Sequence, residues 1–391
     1  MRPPRYTLPI IVFAQFCCTS LWFASNAVLS DLMGVFQLPS ESLGYLTSAV
    51  QFGFILGTLG FAAFTIVDRF SPSKVFFICA IVGSIFNLGI ILNGNTLFSL
   101  IALRFLTGFF LAGIYPVGMK IAADYYEKGL GKSLSFLVAA LVLGTAFPHL
   151  LSAFGTHIPW KGIVTTTSIL ALMGGLSLYI LIPNGPFRRK NTSLQLSAFL
   201  KIFKNARFRK AAFGYFGHMW ELYAFWAFVP VLLGTYNVLH PENSFNVPLW
   251  SFLIVAIGSV GCVISGIIST RLGTKRIAFF TLLASCLCCL VSPLFFATNS
   301  ILFIVFLLFW GFMVIADSPL FSTMVAHSAT PTLKGTALTI TNCIGFAITI
   351  VSIQLLSYTI DSIGSTYVYM LLAIGPVFGL LALLDRKMLS K

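Results

Sequence analysis

Of the 391 residues, 58% are hydrophobic and only 9% are charged, against the roughly 25% charged residues of a soluble domain, so the solvent for most of this chain is lipid. A hydrocarbon core of about 30 Å takes roughly 20 apolar residues per helical crossing, which leaves room for about a dozen crossings and none for a soluble domain. The net charge of +14 does not signal nucleic acid, because the basic residues sit in short loops between apolar runs and do not cluster on a folded polar surface.

In chain order, the apolar runs predict helices near Leu8 to Met33, Leu43 to Val67, Val75 to Leu92, Leu97 to Ala122, Leu134 to Phe154 and Gly162 to Ile182. A second set follows near Ala211 to Leu233, Leu249 to Ile268, Ile277 to Ala297, Ile301 to Val325, Ala337 to Leu356 and Ser365 to Leu384. The first run has no small-residue cleavage site after it and is read as a retained helix. The expected fold class is all-α, a polytopic membrane protein with twelve transmembrane helices in two six-helix pseudo-symmetric bundles.

Lys and Arg in short loops stay on the cytoplasmic side, and here 22 of the 24 fall on one side of the predicted topology. Lys161 alone lies on the other, and Arg104 lies inside a span. Both termini are therefore expected in the cytoplasm, with a bacterial inner membrane as the expected location. Between the halves, Asn184 to Lys210 carries Arg188, Arg189, Lys190, Lys201, Lys204, Arg207, Arg209 and Lys210 and no acid. This divides the chain into residues 1–184, a basic linker at 185–210, and residues 211–391. Within the linker, Leu196, Phe199, Leu200 and Phe203 recur at helical spacing, as in a helix lying on an anionic leaflet; a solvated linker with topogenic charges fits equally well.

The eight cysteines all fall in apolar segments, without the His or Asp neighbours of a metal site. They are read as small packing residues, and no cofactor or metal is expected.

Two features recur at similar offsets. Asp68 and Arg69 follow the second helix and Arg271 follows the eighth, with the two arginines 202 positions apart; Pro116 in the fourth helix and Pro319 in the tenth are 203 apart. Parallel six-helix repeats produce such offsets. The stretch Gly266 to Arg276, and Asp68, Arg69 and Lys74 in the first copy, resemble the Gly-x-x-x-Asp-Arg-x-Gly-x-(Lys/Arg)-(Lys/Arg) signature of the major facilitator superfamily. Thr270 stands at the acidic position of the second copy, and Phe64 and Ser71 replace the glycines of the first. Arg104 followed by Gly108 is similar to a second motif of that family. Gly144 with Pro148 partly matches its exporter motif. Phrases such as Trp22 to Leu29 and Trp220 to Trp226 loosely resemble the nitrate, nitrite and cyanate porter branch, whose arginines on helices 2 and 8 are missing here. The resemblance implies that Asp68, Arg69 and Arg271 act in gating; fixing topology is the alternative role for such charges.

An ionised group at mid-bilayer costs about 2.5–3.5 kcal/mol on insertion scales, so it lines a wet path or has a partner. Arg104, Glu221 and Asp317 are such groups. His218 stands one turn before Glu221, and residues at i and i+3 share a helix face, so protonation of one is expected to bear on the other. In the resembled family, helices 1, 4, 7 and 10 line the central path, which implies that Arg104, Glu221 and Asp317 surround one cavity. The alternative is a structural bridge from Arg104 to Glu221 or Asp317. Asn26, Tyr115 and Trp220 are candidates for solute contacts, with helix packing or an interfacial ring as their competing role.

The expected function is secondary active transport of a small polar solute by alternating access, coupled to protons, by a monomer whose other partner is membrane lipid. Export of amphipathic compounds and a non-transporting membrane receptor are the alternatives. An enzyme would need a nucleophile, base or metal ligands gathered near an interface, and no such group is present in the sequence.

Overall fold

The computed structural model describes residues 4–126, 130–154, 158–188, 199–330 and 333–384, and all regular secondary structure among them is helical. Helix is what hydrocarbon dictates, since a chain in lipid must satisfy every backbone donor and acceptor from within. The first half contains α1 (Thr7–Thr19, Ala24–Ala27 and Leu29–Phe36), α2 (Ser42–Ala63), α3 (Pro72–Leu88), α4 (Leu97–Leu111 and Tyr115–Tyr125), α5 (Leu130–Ala153) and α6 (Trp160–Leu181). The second contains α7 (Ala206–Leu239), α8 (Val247–Leu272), α9 (Thr274–Phe295), α10 (Ser300–Ala316 and Ser318–Ser328), α11 (Lys334–Ile363) and α12, which opens in 3-10 form (Val368–Ala373) and continues as α-helix (Ile374–Leu383). Ten of these, α2 to α11, are long and apolar enough to cross a membrane, and α1 and α12 are shorter apolar helices.

Packing divides the chain into two compact units, one of Met1–Ser193 with Phe245–Ala256, the other of Leu194–Ser244 with Ile257–Lys391. α7 begins at Ala206 and a short helix spans Phe199–Lys204, so the end of the expected linker is already helical. Residues 189–198, and with them Leu196, lie outside the described residues.

Three spans are interrupted. In α4 and α10 a proline occupies the second position of the second segment, Pro116 and Pro319; proline lacks an N–H and clashes with the carbonyl four residues back. The helix starts match as well: Thr96 caps α4 through a reciprocal pair with Ser99, and Asn299 caps α10 by accepting from the Leu302 N–H at 3.0 Å. Those caps satisfy orphan N–H groups at the first turn. The break in α1, at Ser20–Phe23, contains neither proline nor glycine.

Glycines set the closest approaches within each unit. A Cβ on Gly53 or Gly108 would lie 1.9 Å from Phe105 O or 2.1 Å from Val50 O, so α2 and α4 meet backbone to backbone. In the second unit Gly217 and Gly375 do the same for α7 and α12, where an added Cβ would lie 2.4 Å from Gly375 O. Small residues at crossings are the usual route to tight association in lipid.

Candidate functional site

In the first unit Arg104, on the first segment of α4, is fully buried. Its Nη1 donates to Leu21 O at 3.1 Å and to Asn87 Oδ1 at 3.2 Å, and its Nη2 donates to Trp22 O. Leu21 and Trp22 lie in the break of α1, so the guanidinium bonds carbonyls at the point where that helix is interrupted. Asn87 is itself fixed, donating from Nδ2 to Ser168 Oγ at 2.9 Å and to Thr167 Oγ1 at 3.3 Å. The cation is thus solvated by neutral oxygens from α1 and α3. This arrangement offsets part of the several kcal/mol that a buried charge costs.

Among the other expected solute contacts, Asn26 donates to Thr47 Oγ1 at 2.8 Å, tying α1 to α2. Tyr115 is half-buried at the first position of the second α4 segment. At the basic end of the unit, Asp68 pairs with Lys120 Nζ at 3.0 Å. Arg188 Nη2 donates to Asp68 O at 3.1 Å and Phe70 O at 2.8 Å, and Arg69 Nε donates to Thr65 Oγ1 at 3.1 Å. Lys120 and Arg188 were legible only as topogenic charges, and the structure places both in contact with the loop that carries Asp68.

The second unit holds the densest buried polar cluster among the candidates. Glu221, near the middle of α7, accepts through Oε1 from Ser285 Oγ, from Trp310 Nε1 at 2.7 Å and from Cys289 Sγ at 3.2 Å. Three donors from α9 and α10 therefore converge on one carboxylate oxygen, a setting in which hydrogen bonds are charge-assisted and short. One turn earlier, His218 Nδ1 lies 2.7 Å from Asp317 Oδ1, with both side chains about 1% exposed. Asp317 occupies the break in α10 and its carbonyl accepts the N–H groups of Leu320 and Phe321, so the same residue starts the second segment and faces the imidazole.

His218 and Glu221 share a helix face, as their spacing predicts, and yet engage different partners. Trp220 turns away to α12, donating from Nε1 to Leu371 O at 3.0 Å. Arg271, at the end of α8, is exposed. Ser285, Cys289 and Trp310 are neighbours of Glu221 that the sequence does not single out. Cys289 corrects the reading of the cysteines as packing alone, because its thiol donates to Glu221; all eight cysteines are buried. Among the described residues no group of three or more His, Cys, Asp or Glu side chains is placed to hold a metal ion.

Twelve apolar helices in two units, with two acids and an imidazole buried in one and a solvated guanidinium in the other, define a polytopic membrane protein of the carrier class. The family model of the Major Facilitator Superfamily matches residues 11–353, and the chain belongs to that family. A transporter proposed for galactarate and D-glucarate in Bacillus subtilis (strain 168) is 27% identical over 162 residues, a stretch covering 38% of this chain and 35% of that protein. The fold matches the proton:xylose symporter XylE bound to 6-bromo-6-deoxy-D-glucose with a TM-score of 0.73 and 13% identity, covering 96% of this chain and 94% of XylE. It matches the human organic anion transporter MFSD10 (TETRAN) with a TM-score of 0.74 and 14% identity, covering 98% and 100%. These relatives are transporters and not enzymes, and the chain is an integral, multi-pass membrane protein.

Proposed function

We propose that this protein is a secondary transporter that moves a small polar solute together with protons by alternating access, with both termini in the cytoplasm. The observation that carries the reading is the buried set on α7 and α10: Glu221 held by Ser285, Cys289 and Trp310, and His218 held 2.7 Å from Asp317. Ionisable groups this deep in a membrane protein mark proton or solute paths, and His218 and Glu221 lie one turn apart on one helix. A proton arriving at Glu221 removes the negative charge that the three donors stabilise; a proton exchanged between His218 and Asp317 changes the charge at the α10 break. Either event alters the electrostatics of the helices that would have to move.

The solutes for which the relatives are named are sugar acids, a sugar and organic anions, which supports a small polar cargo. Asp68, Arg69 and Arg271 serve as gate charges in this reading, on the family resemblance of their motif. Residence in a bacterial inner membrane as a monomer completes it, on the bias of positive charge and on two units within one chain.

Reconstitution in liposomes tests the proposal with D-glucarate and D-xylose as probes. An acid-outside gradient should drive accumulation of one probe above its external concentration, a protonophore should abolish it, and Glu221→Gln should abolish accumulation while leaving exchange of internal for external probe. Accumulation by Glu221→Gln equal to wild type under the same gradient would overturn the assignment of Glu221.

A further inference from the structure

We propose that a crevice between α8, α9 and α10 binds an anionic membrane phospholipid, with one acyl chain in the crevice and the phosphate against the basic turn that joins α8 to α9. The crevice has a volume of about 210 Å³ and is walled by Ile264, Ile268, Ile277, Phe280, Phe312 and Met313. Its two hydroxyls are already used: Ser265 Oγ donates to Ala316 O at 2.5 Å and Thr281 Oγ1 to Ile277 O at 2.8 Å. The wall therefore offers a ligand no free hydroxyl donor, and its predominantly apolar lining selects an apolar occupant. The volume is below the roughly 300–1,000 Å³ of pockets that enclose drug-sized ligands, which suits a slender chain segment.

Position names the source of that chain. Ile264 is 40% exposed and Phe280 52% exposed, and the apolar lining of this surface, on membrane-spanning helices, assigns it to hydrocarbon. The crevice is thus open to acyl chains from the side. Its helix faces also lead directly to positive charge. Arg271 follows Ile264 and Ile268 at i+7 and i+3 on α8, and Arg276 precedes Phe280 at i−4 on α9, so each arginine continues a crevice-lining stripe. Lys275 lies between them in sequence. The reversal is tight because Gly273 takes a φ of +91° between Leu272, the last residue of α8, and Thr274, the first of α9. Three residues of helix are about 4.5 Å of rise, so a phosphate at Arg271 has its chains beginning at the level of Ile268. Interfacial Lys and Arg are drawn toward an anionic leaflet, and long basic side chains keep their heads in the interface.

The site also touches the α10 interruption. Ala316 is a wall residue and directly precedes Asp317, and its carbonyl is held by Ser265. An occupant packed there braces the end of the first α10 segment.

The test measures binding and needs no transport, so its outcome is separate from that of the transport proposal. Purified full-length protein in detergent is titrated with dioleoyl phosphatidylglycerol or dioleoyl phosphatidylcholine, with lipid retention read by native mass spectrometry and the melting temperature followed in parallel. Phosphatidylglycerol should be retained and should raise the melting temperature, and phosphatidylcholine should do so at least tenfold less effectively. The double variant Arg271→Ala with Arg276→Ala and the crevice-filling variant Met313→Trp should each weaken phosphatidylglycerol retention about tenfold. Ile268→Trp, at a partly exposed position on the crevice rim, replaces Met313→Trp if that protein does not fold. Equal retention of the two lipids overturns the proposal. So does loss in the charge variant with wild-type retention in the crevice variant, which would mean headgroup adsorption without a chain site.

Discussion

Glu221 is a carboxylate whose neighbours were chosen by the fold and not by its own helix. Ser285, Cys289 and Trp310 reach it from positions 64, 68 and 89 residues later in the chain. Removing the indole donor by Trp310→Phe, which keeps most of the ring, should cost about 1–3 kcal/mol, the range for stripping a partner from a buried polar group. A lower melting temperature in detergent checks this, while Ser285→Ala should act in the same direction. Arg104 makes the opposite case, a cation among neutral oxygens. Arg104→Ala removes the donor that Leu21 O, Trp22 O and Asn87 Oδ1 share and should destabilise by about 1–3 kcal/mol, the range for stripping a partner from buried polar groups. Arg104→Lys should recover only part of that, because one ammonium cannot reproduce the fixed fork of a guanidinium. At this scale the sequence reveals the charged residues, since each is conspicuous within a lipid-soluble run. Their partners are not legible, because a serine, a cysteine or a tryptophan in a membrane helix looks the same whether it packs or donates.

At the level of elements, ten of the twelve spans follow from hydrophobic length alone, and the interruptions of α4 and α10 follow from Pro116 and Pro319. The interruption of α1 does not, for its sequence from Ser20 to Phe23 contains no helix breaker; the carbonyls of Leu21 and Trp22 there are bonded by Arg104, which is 82 to 83 positions away. That break is a tertiary event. Close helix crossings give a contrast that can be measured. Gly108→Ala would place a Cβ 2.1 Å from Val50 O and should cost about 1–3 kcal/mol through overpacking, whereas at Gly60 the nearest atom to an added Cβ is Phe109 Cζ at 4.0 Å. Gly60→Ala should therefore leave stability unchanged or raise it by up to about 1 kcal/mol through helix propensity. Thermal melting of both variants in one detergent decides the matter, and equal losses would contradict the backbone contact between α2 and α4.

For the whole molecule, the repeat legible in Arg69 with Arg271 and Pro116 with Pro319 extends to the helix caps, since Thr96 and Asn299 are also 203 positions apart. The two units nonetheless carry different chemistry: a solvated arginine in one, acids and an imidazole in the other. The central claim is that solute movement and proton movement are one process that needs the buried α7 and α10 groups. It is tested most directly by trapping a pH-sensitive dye inside proteoliposomes and adding D-glucarate or D-xylose outside with no pH gradient. The account predicts that a transported probe acidifies the lumen in wild type, and that Asp317→Asn and Glu221→Gln lose the acidification while Glu221→Gln still exchanges the probe. Uptake of a probe by wild type with no change in lumenal pH, or acidification undiminished in both variants, would contradict it.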